Sequence, residues 1–235
     1  WDATPIDQEK KITEIHQPDG KNDLLQQIEH GALTVVGGWK ALGRLYRGII
    51  CNDLRQYVLL GDPANMTDGI AGNGDDRWVF TEDNPPRELS TAAQLAAIAR
   101  TMKDFNPELS ADALKAAREL FEVTDHQRNE WAQAMAIHAA VELLITTGEA
   151  QYRQYVLEHQ DLVIGNIKRL GWVAAKGLDV INDAAFTEAV RAALVTEKAE
   201  IDQMCQETPY GIPYRVLYGH DVDNLFFAGR NISAT

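Results

Sequence analysis

From Asp23 to Arg47 apolar residues fall at Leu24, Leu25, Ile28, Ala32, Val35, Val36, Trp39, Leu42 and Tyr46. These steps of three and four place one apolar stripe along a helix. Asn22 stands where an N-cap belongs, because its side-chain oxygen can accept an orphan backbone N–H. Gly37, Gly38 and Gly43 weaken the run by up to about 1 kcal/mol each relative to alanine. They make sense mainly where another backbone packs close.

The rhythm breaks over residues 48–89. Gly61-Asp62-Pro63, Gly69, Gly72, Gly74 and Pro85-Pro86 punctuate the chain. Two short apolar runs between them, Gln56–Leu60 and Trp78–Thr81, read as brief strands. A connection this long inside a helical protein is usually functional or disordered, and its aromatics and arginines argue for order.

From Ser90 the helical period returns. Ser90 is read as the cap of a run through Lys103, and Asn106-Pro107 resets the chain. Ser110 is read as the cap of a run through about Val123. Further runs cover about Gln127–Thr147 (closed by Gly148, a good left-handed residue), Ala150–His159, Asp161–Leu170 and Ala184–Gln206. Short connections predict antiparallel neighbours. Alanine crowds the packed faces at 92, 93, 96 and 97, at 113, 116 and 117, and at 136, 139 and 140. The predicted class is all-α. An α-solenoid of helical hairpins and an α/α toroid both fit the periodicity, although the spacing matches no standard repeat signature.

Composition narrows the partners. The 235 residues carry a formal net charge of −13, which repels phosphate backbones and anionic lipid but not a neutral glycan. No apolar run reaches the roughly 18 residues of a membrane span. Cys51 and Cys205 lie far apart with no metal-ligand spacing, and their pairing stays open. The chain opens at Trp1 with no basic and apolar leader, so a removed leader or a start inside a longer protein is expected.

Three segments carry a resemblance. His16-Gln17-Pro18-Asp19-Gly20-Lys21-Asn22-Asp23-Leu24-Leu25, continuing through Ile28-Glu29-His30-Gly31, resembles a helix opening on P-D-L-L. Asp75-Asp76-Arg77-Trp78-Val79-Phe80-Thr81 with Ser90–Arg100 is similar to a loop and Ala-rich helix. Pro209-Tyr210-Gly211-Ile212-Pro213-Tyr214 is similar to an N-P-Y-G-V-P turn. In this order they resemble a family 9 glycoside hydrolase catalytic module over about residues 1–214. The resemblance implies an (α/α)₆ barrel with a sugar cleft at one end, inverting hydrolysis of β-1,4-glucan, and a secreted or periplasmic parent. About seven helices are read against the dozen of that barrel, so an incomplete toroid is expected.

An inverting glycosidase needs a carboxylate base and a carboxylic acid about 6.5–9.5 Å apart, with water between them. The family takes its base from a D-A-G-D element near the module's start and its acid from a glutamate near the end. Asp2-Ala3-Thr4-Pro5 is only superficially similar to the first, and the chain stops before the second. No catalytic residue is carried over, and the chain by itself is expected to be inactive. The rival reading is a non-catalytic helical scaffold that binds glycan or protein.

Residues 215–235 differ in character. With Ile212-Pro213-Tyr214-Arg215, Asn224-Leu225-Phe226 and Ala228-Gly229-Arg230-Asn231-Ile232-Ser233 resemble a segment of certain FAD-dependent oxidoreductases. The flavin's own G-x-G-x-x-G unit has no counterpart, since Gly69–Gly74 has the wrong spacing, and a flavoenzyme fragment is the third reading after the glycosidase fragment and the helical scaffold. The apolar positions Leu217, Leu225, Phe226, Phe227 and Ile232, with exposed helical faces, predict a homo-oligomer.

The candidate substrate-binding residues are Asp75, Asp76, Arg77, Trp78 and Tyr210. Trp78 would stack on a sugar ring and Asp76 would bond a hydroxyl; the competing reading is a solvated acidic turn whose arginine pairs locally. Tyr46, Arg47, Arg55 and Tyr57 are weaker candidates at the loop entry. Asp62, Asp68, Asp75 and Asp76 are oxygen donors of the kind calcium takes, without an EF-hand spacing. The six histidines show no metal spacing. His138, on an apolar helix, is expected to be packed and hydrogen-bonded. Trp39, Trp131, Tyr152, Tyr155 and Trp172 are expected in the core.

Overall fold

A computed structural model describes residues 6–7, 12–13, 19–51, 70, 72 and 77–207 of the chain. Among these residues the protein is mostly helical, with eight helices. A minimal hairpin pairs β1 (Ile6–Asp7) with β2 (Ile12–Thr13). Helix α1 (Asp23–Leu42) is capped by Asn22, whose side chain accepts from the Leu25 N–H at 3.2 Å. It stops at Leu42 rather than running on to Arg47. Gly43 takes the left-handed conformation at φ 65° and returns its N–H to the Trp39 carbonyl. The chain then enters β3 (Tyr46–Cys51), antiparallel to β4 (Arg77–Thr81). The predicted strand at 78–81 is therefore present; the one at 56–60 lies outside the described residues.

Helix α2 (Pro85–Met102) starts five residues before the expected cap at Ser90. Asn84 is the cap, accepting from the Arg87 N–H at 3.2 Å. Pro85-Pro86 open the helix instead of blocking it, because the first-turn N–H groups have no intrahelical partner to lose. The same chemistry moves the start of α3 (Pro107–Val123) to Asn106, whose side chain accepts from the Leu109 N–H. The Ser110 hydroxyl, expected to cap, instead donates to the Ala99 carbonyl at 2.6 Å and ties α3 to α2.

Helix α4 (Glu130–Thr147) ends at Gly148 as predicted. It is followed by α5 (Ala150–Glu158), α6 (Gln160–Gly165), α7 (Ile167–Ile181) and α8 (Ala184–Glu207). The single run expected over 161–170 is two helices. Asn166 ends one by bonding the Leu162 carbonyl and starts the next by receiving the Arg169 and Leu170 N–H groups. The continuation of α7 to Ile181 was not read from the sequence.

Contacts between helices set the layout. Consecutive α2 and α3 are antiparallel, since Ser110 meets Ala99 and Thr124 meets Glu88. Three non-consecutive pairs, α2 with α4, α4 with α7 and α1 with α3, are parallel. Arg100 reaches Glu142 and Thr146, and Leu89 packs on Ala132 and Ala136, so α2 lies along α4 start to start. His138 meets Trp172, and Glu142 meets Lys176, which aligns α4 with α7. Asn106 reaches Glu29 and Glu119 reaches Trp39, which aligns α1 with α3. The helices thus form hairpins in two rows, one built on α2, α4 and α7, the other including α1 and α3. Leu89, Leu95, Met102, Leu120, Ile137, Leu143, Tyr152 and Phe186 fill the core. The alanine stripes of α2 and α4 let that pair approach closely.

Glycine marks two close approaches. A Cβ on Gly177 would lie 2.9 Å from Val141 Cγ1, and one on Gly38 would lie 2.4 Å from the Tyr46 ring. Gly38 thus makes room for a side chain rather than a backbone, while Gly37 faces open space. Gly177→Val is expected to cost about 1–3 kcal/mol by forcing α7 off α4. Gly37→Ala, on the exposed side of α1, is expected to stabilise by about 0.5–1 kcal/mol. Urea unfolding of both variants checks the pair; a neutral Gly177→Val would contradict the close packing.

Candidate functional site

Because α2, α4 and α7 run parallel, their N-termini share one end of the row. The hairpin β3–β4 delivers the chain to that end, and β4 runs straight into residues 82–84 before α2. Trp78 sits opposite Ile50 on β4 and is 61% exposed. At the start of α4, Trp131 is 56% exposed, with the Arg169 guanidinium of α7 lying 3.7 Å from its ring centroid. The geometry fits a cation–π pair.

Ion pairs hold the intervening loop. Glu82 receives Arg87 at 2.9 Å and Arg47 at 3.3 Å, and Asn84 Nδ2 donates to it at 3.3 Å. Asp83 receives Arg128 at 2.5 Å, which links the loop before α2 to the loop before α4. That second loop is braced by His126. Its Nε2 faces the Phe121 carbonyl at 2.7 Å and so donates; its Nδ1 lies 3.0 Å from the Tyr155 hydroxyl. Burial pushes the Tyr155 phenol up to about 12, so it remains a donor at neutral pH. Phe121, Tyr155 and His159 complete a cluster of edge-on and stacked rings.

The carboxylates named here are engaged. Glu82 and Asp83 are ion-paired, Glu88 accepts from Thr124, and Asp125 pairs with Arg128 and accepts from the Gln127 N–H. None of these four stands opposite another as a free acid and base. What this end offers among the described residues is exposed aromatic ring surface beside ion-paired charged groups.

Of the predicted site residues, Trp78 is described and its side chain is exposed on β4. Arg77 is paired with Cys51 in the strand ladder; its side chain lies outside the described residues, as do Asp75, Asp76 and Tyr210. Tyr46 packs on Gly38, and Arg47 is bound to Glu82. Arg55, Tyr57 and the acidic positions Asp62 and Asp68 lie outside the described residues, as does the segment 215–235. Among the described residues no group of three or more His, Cys, Asp or Glu is placed to hold a metal ion. No helix among them is long and apolar enough to cross a membrane.

Two expectations are corrected. Trp131 and Trp172 were expected in the core and are both more than half exposed. Trp172 stands edge-on to the His138 ring of α4, and Trp131 lies under the Arg169 guanidinium of α7. The second correction is an omission, Glu142. It lies on the same face of α4 as Trp131 and His138, and its side chain is 3% exposed. Arg100 from α2 and Lys176 from α7 each reach it at 2.5 Å, and His138 Nε2 stands 3.7 Å away. Burial works to raise this carboxyl, but the interactions with His138, Lys176 and Arg100 outweigh it and hold the group at about 2. The available signal is a mid-helix carboxylate among apolar residues with a histidine four residues earlier. His138 itself is packed and partnered as expected.

Comparison with known proteins returned no match among curated proteins and none among solved structures. A family model does match. Its span contains the Asp75–Arg100 and Pro209–Tyr214 segments and leaves out the resemblance read at residues 16–31. The matching model is that of Glycosyl hydrolase family 9, over residues 52–216 and so well over half of the chain, and the protein belongs to that family.

Proposed function

We propose that this chain is the saccharide-binding helical part of a glycosidase that acts on β-1,4-glucan with inversion, from a secreted or periplasmic parent. In this reading the two rows are a sector of an (α/α)₆ barrel, and the shared N-terminal end of α2, α4 and α7 faces the glucan. The supporting observation is the pair of exposed indoles, Trp78 and Trp131, set at that one end in a family whose substrates are glycans. Asp75, Asp76, Arg77 and Tyr210 are proposed as further sugar contacts. The 235 residues carry neither the D-A-G-D element nor an assigned acid, so this chain binds but does not cut.

Two measurements test this. Calorimetric titration with cellohexaose is expected to show binding that weakens about tenfold or more in Trp78→Ala, the usual cost of truncating a central aromatic anchor. Absence of any binding would overturn the proposal in favour of a protein-binding scaffold. Carboxymethyl-cellulose is expected to release no reducing sugar, since base and acid are each worth about 10²–10⁴-fold. Hydrolysis that survives repurification and vanishes in the Asp75→Asn, Asp76→Asn double variant would overturn the inactivity.

A further inference from the structure

A second concavity lies between α1 and α3, in the other row of helices, largely along their C-terminal halves and with a lining that includes neither Trp78 nor Trp131. It is an open groove of about 680 Å³, within the size range of small-ligand sites. Trp39, Gly43, Ala116 and Val123 supply its apolar surface, and Val123 is 73% exposed. Lys40, Asp112, Lys115 and Glu119 supply its polar groups.

The polar groups are ordered. The Trp39 indole N–H donates to the Glu119 carboxylate at 2.7 Å, which fixes the ring's orientation. Lys40 donates to Asp112 at 2.8 Å, and Lys115 stands 3.8 Å from Glu119. Two cations and two carboxylates sum to zero, in a chain whose net charge is −13. A groove with no net charge does not select an ion. It presents an apolar ring and ordered donors and acceptors of both signs, which is what a ligand with a C–H face and a rim of hydroxyls requires.

We infer that the α1–α3 groove is a separate binding site for a short neutral oligosaccharide, which lies against Trp39 and hydrogen-bonds to Glu119, Asp112, Lys40 and Lys115. The ligand class follows from the lining; only the choice of a β-glucan as probe rests on the family reading.

The test follows the Trp39 indole N–H by ¹H–¹⁵N NMR during titration with cellohexaose, the signal being assigned with Trp39→Phe. Should Trp39→Phe not fold, Glu119→Gln identifies the same signal, because it alters the indole's own acceptor while keeping an oxygen there. The signal is expected to move saturably, both in the wild type and in Trp78→Ala. Glu119→Gln is expected to weaken this response about tenfold, the equivalent of one charge-assisted hydrogen bond. A Trp39 signal that stays still, or that responds equally to inorganic phosphate, overturns the site. The Trp78→Ala arm separates the two proposals: loss of end binding with an unchanged Trp39 response leaves the groove standing, and the reverse removes the groove alone.

Discussion

Glu142→Ala is expected to lower the stability of this protein by about 3 kcal/mol. Removing one partner from a buried ion pair typically costs about 3–5 kcal/mol, because the charge left behind keeps its desolvation penalty. Arg100 and Lys176 retain some access to water, at 29% and 42% exposure, which favours the lower end of that range. The effect is structural rather than local, since this one carboxylate joins α2, α4 and α7. A pH dependence follows from the same group. Its folded value of about 2 lies below the ordinary 4.5, so the unfolded chain takes up the proton more readily. The contribution of Glu142 is full above about pH 4.5 and is lost as pH falls towards 2. Wild-type stability measured by urea unfolding should therefore fall between pH 5 and about pH 3 by more than that of Glu142→Gln, whose side chain cannot titrate. Equal slopes for the two proteins, or a Glu142→Ala midpoint matching wild type at pH 7, would show that the cluster does not hold the row together.

Phe186→Ala should cost about as much or more, about 3–5 kcal/mol, through a cavity rather than a charge. Phe186 is fully buried in the first turn of α8 and joins that helix to the core. The corner leading to it is well determined. Asn182 closes α7 in the left-handed conformation at φ 46°. Asp183 then caps α8, accepting the Phe186 N–H at 2.9 Å, while Arg153 Nε donates to the Ile181 carbonyl at 2.6 Å. A backbone held this firmly leaves little freedom for α8 to settle into the space an alanine would leave. Phe186→Leu keeps most of the volume and should cost less than about 1.5 kcal/mol. Urea unfolding of the two variants checks the ordering; a Phe186→Ala protein within 1 kcal/mol of wild type would mean that α8 contributes little to the core.

The family was legible in short motifs, two of which fall inside the matched span, and the helical class in the apolar periodicity. The site was legible only in part. Trp78 stood out as an aromatic in a broken, charged segment, and the structure leaves its ring open to solvent. Trp131 did not, because an aromatic in an Ala-rich helix looks the same whether its face is covered or bare. Glu142 was not legible for the opposite reason: a carboxylate in the middle of an apolar helix gains meaning only from Arg100 and Lys176, residues 42 and 34 positions away.

The sequence by itself determined where elements start and stop. Asn22 begins its helix and Gly148 ends its own by local hydrogen bonds, and Pro85-Pro86 after Asn84 and Pro107 after Asn106 open theirs by chemistry confined to one turn. Tertiary structure alone decided which faces meet. The choice of α4 as the partner of α2 rests on alanines that bury completely only against each other, and the Trp39–Glu119 contact joins residues 80 positions apart. Caps and periodicity are energies of neighbours along the chain, so they can be read from it. Helix pairing is a sum over burial at long range, in which each residue contributes little and only the assembled surfaces settle the outcome.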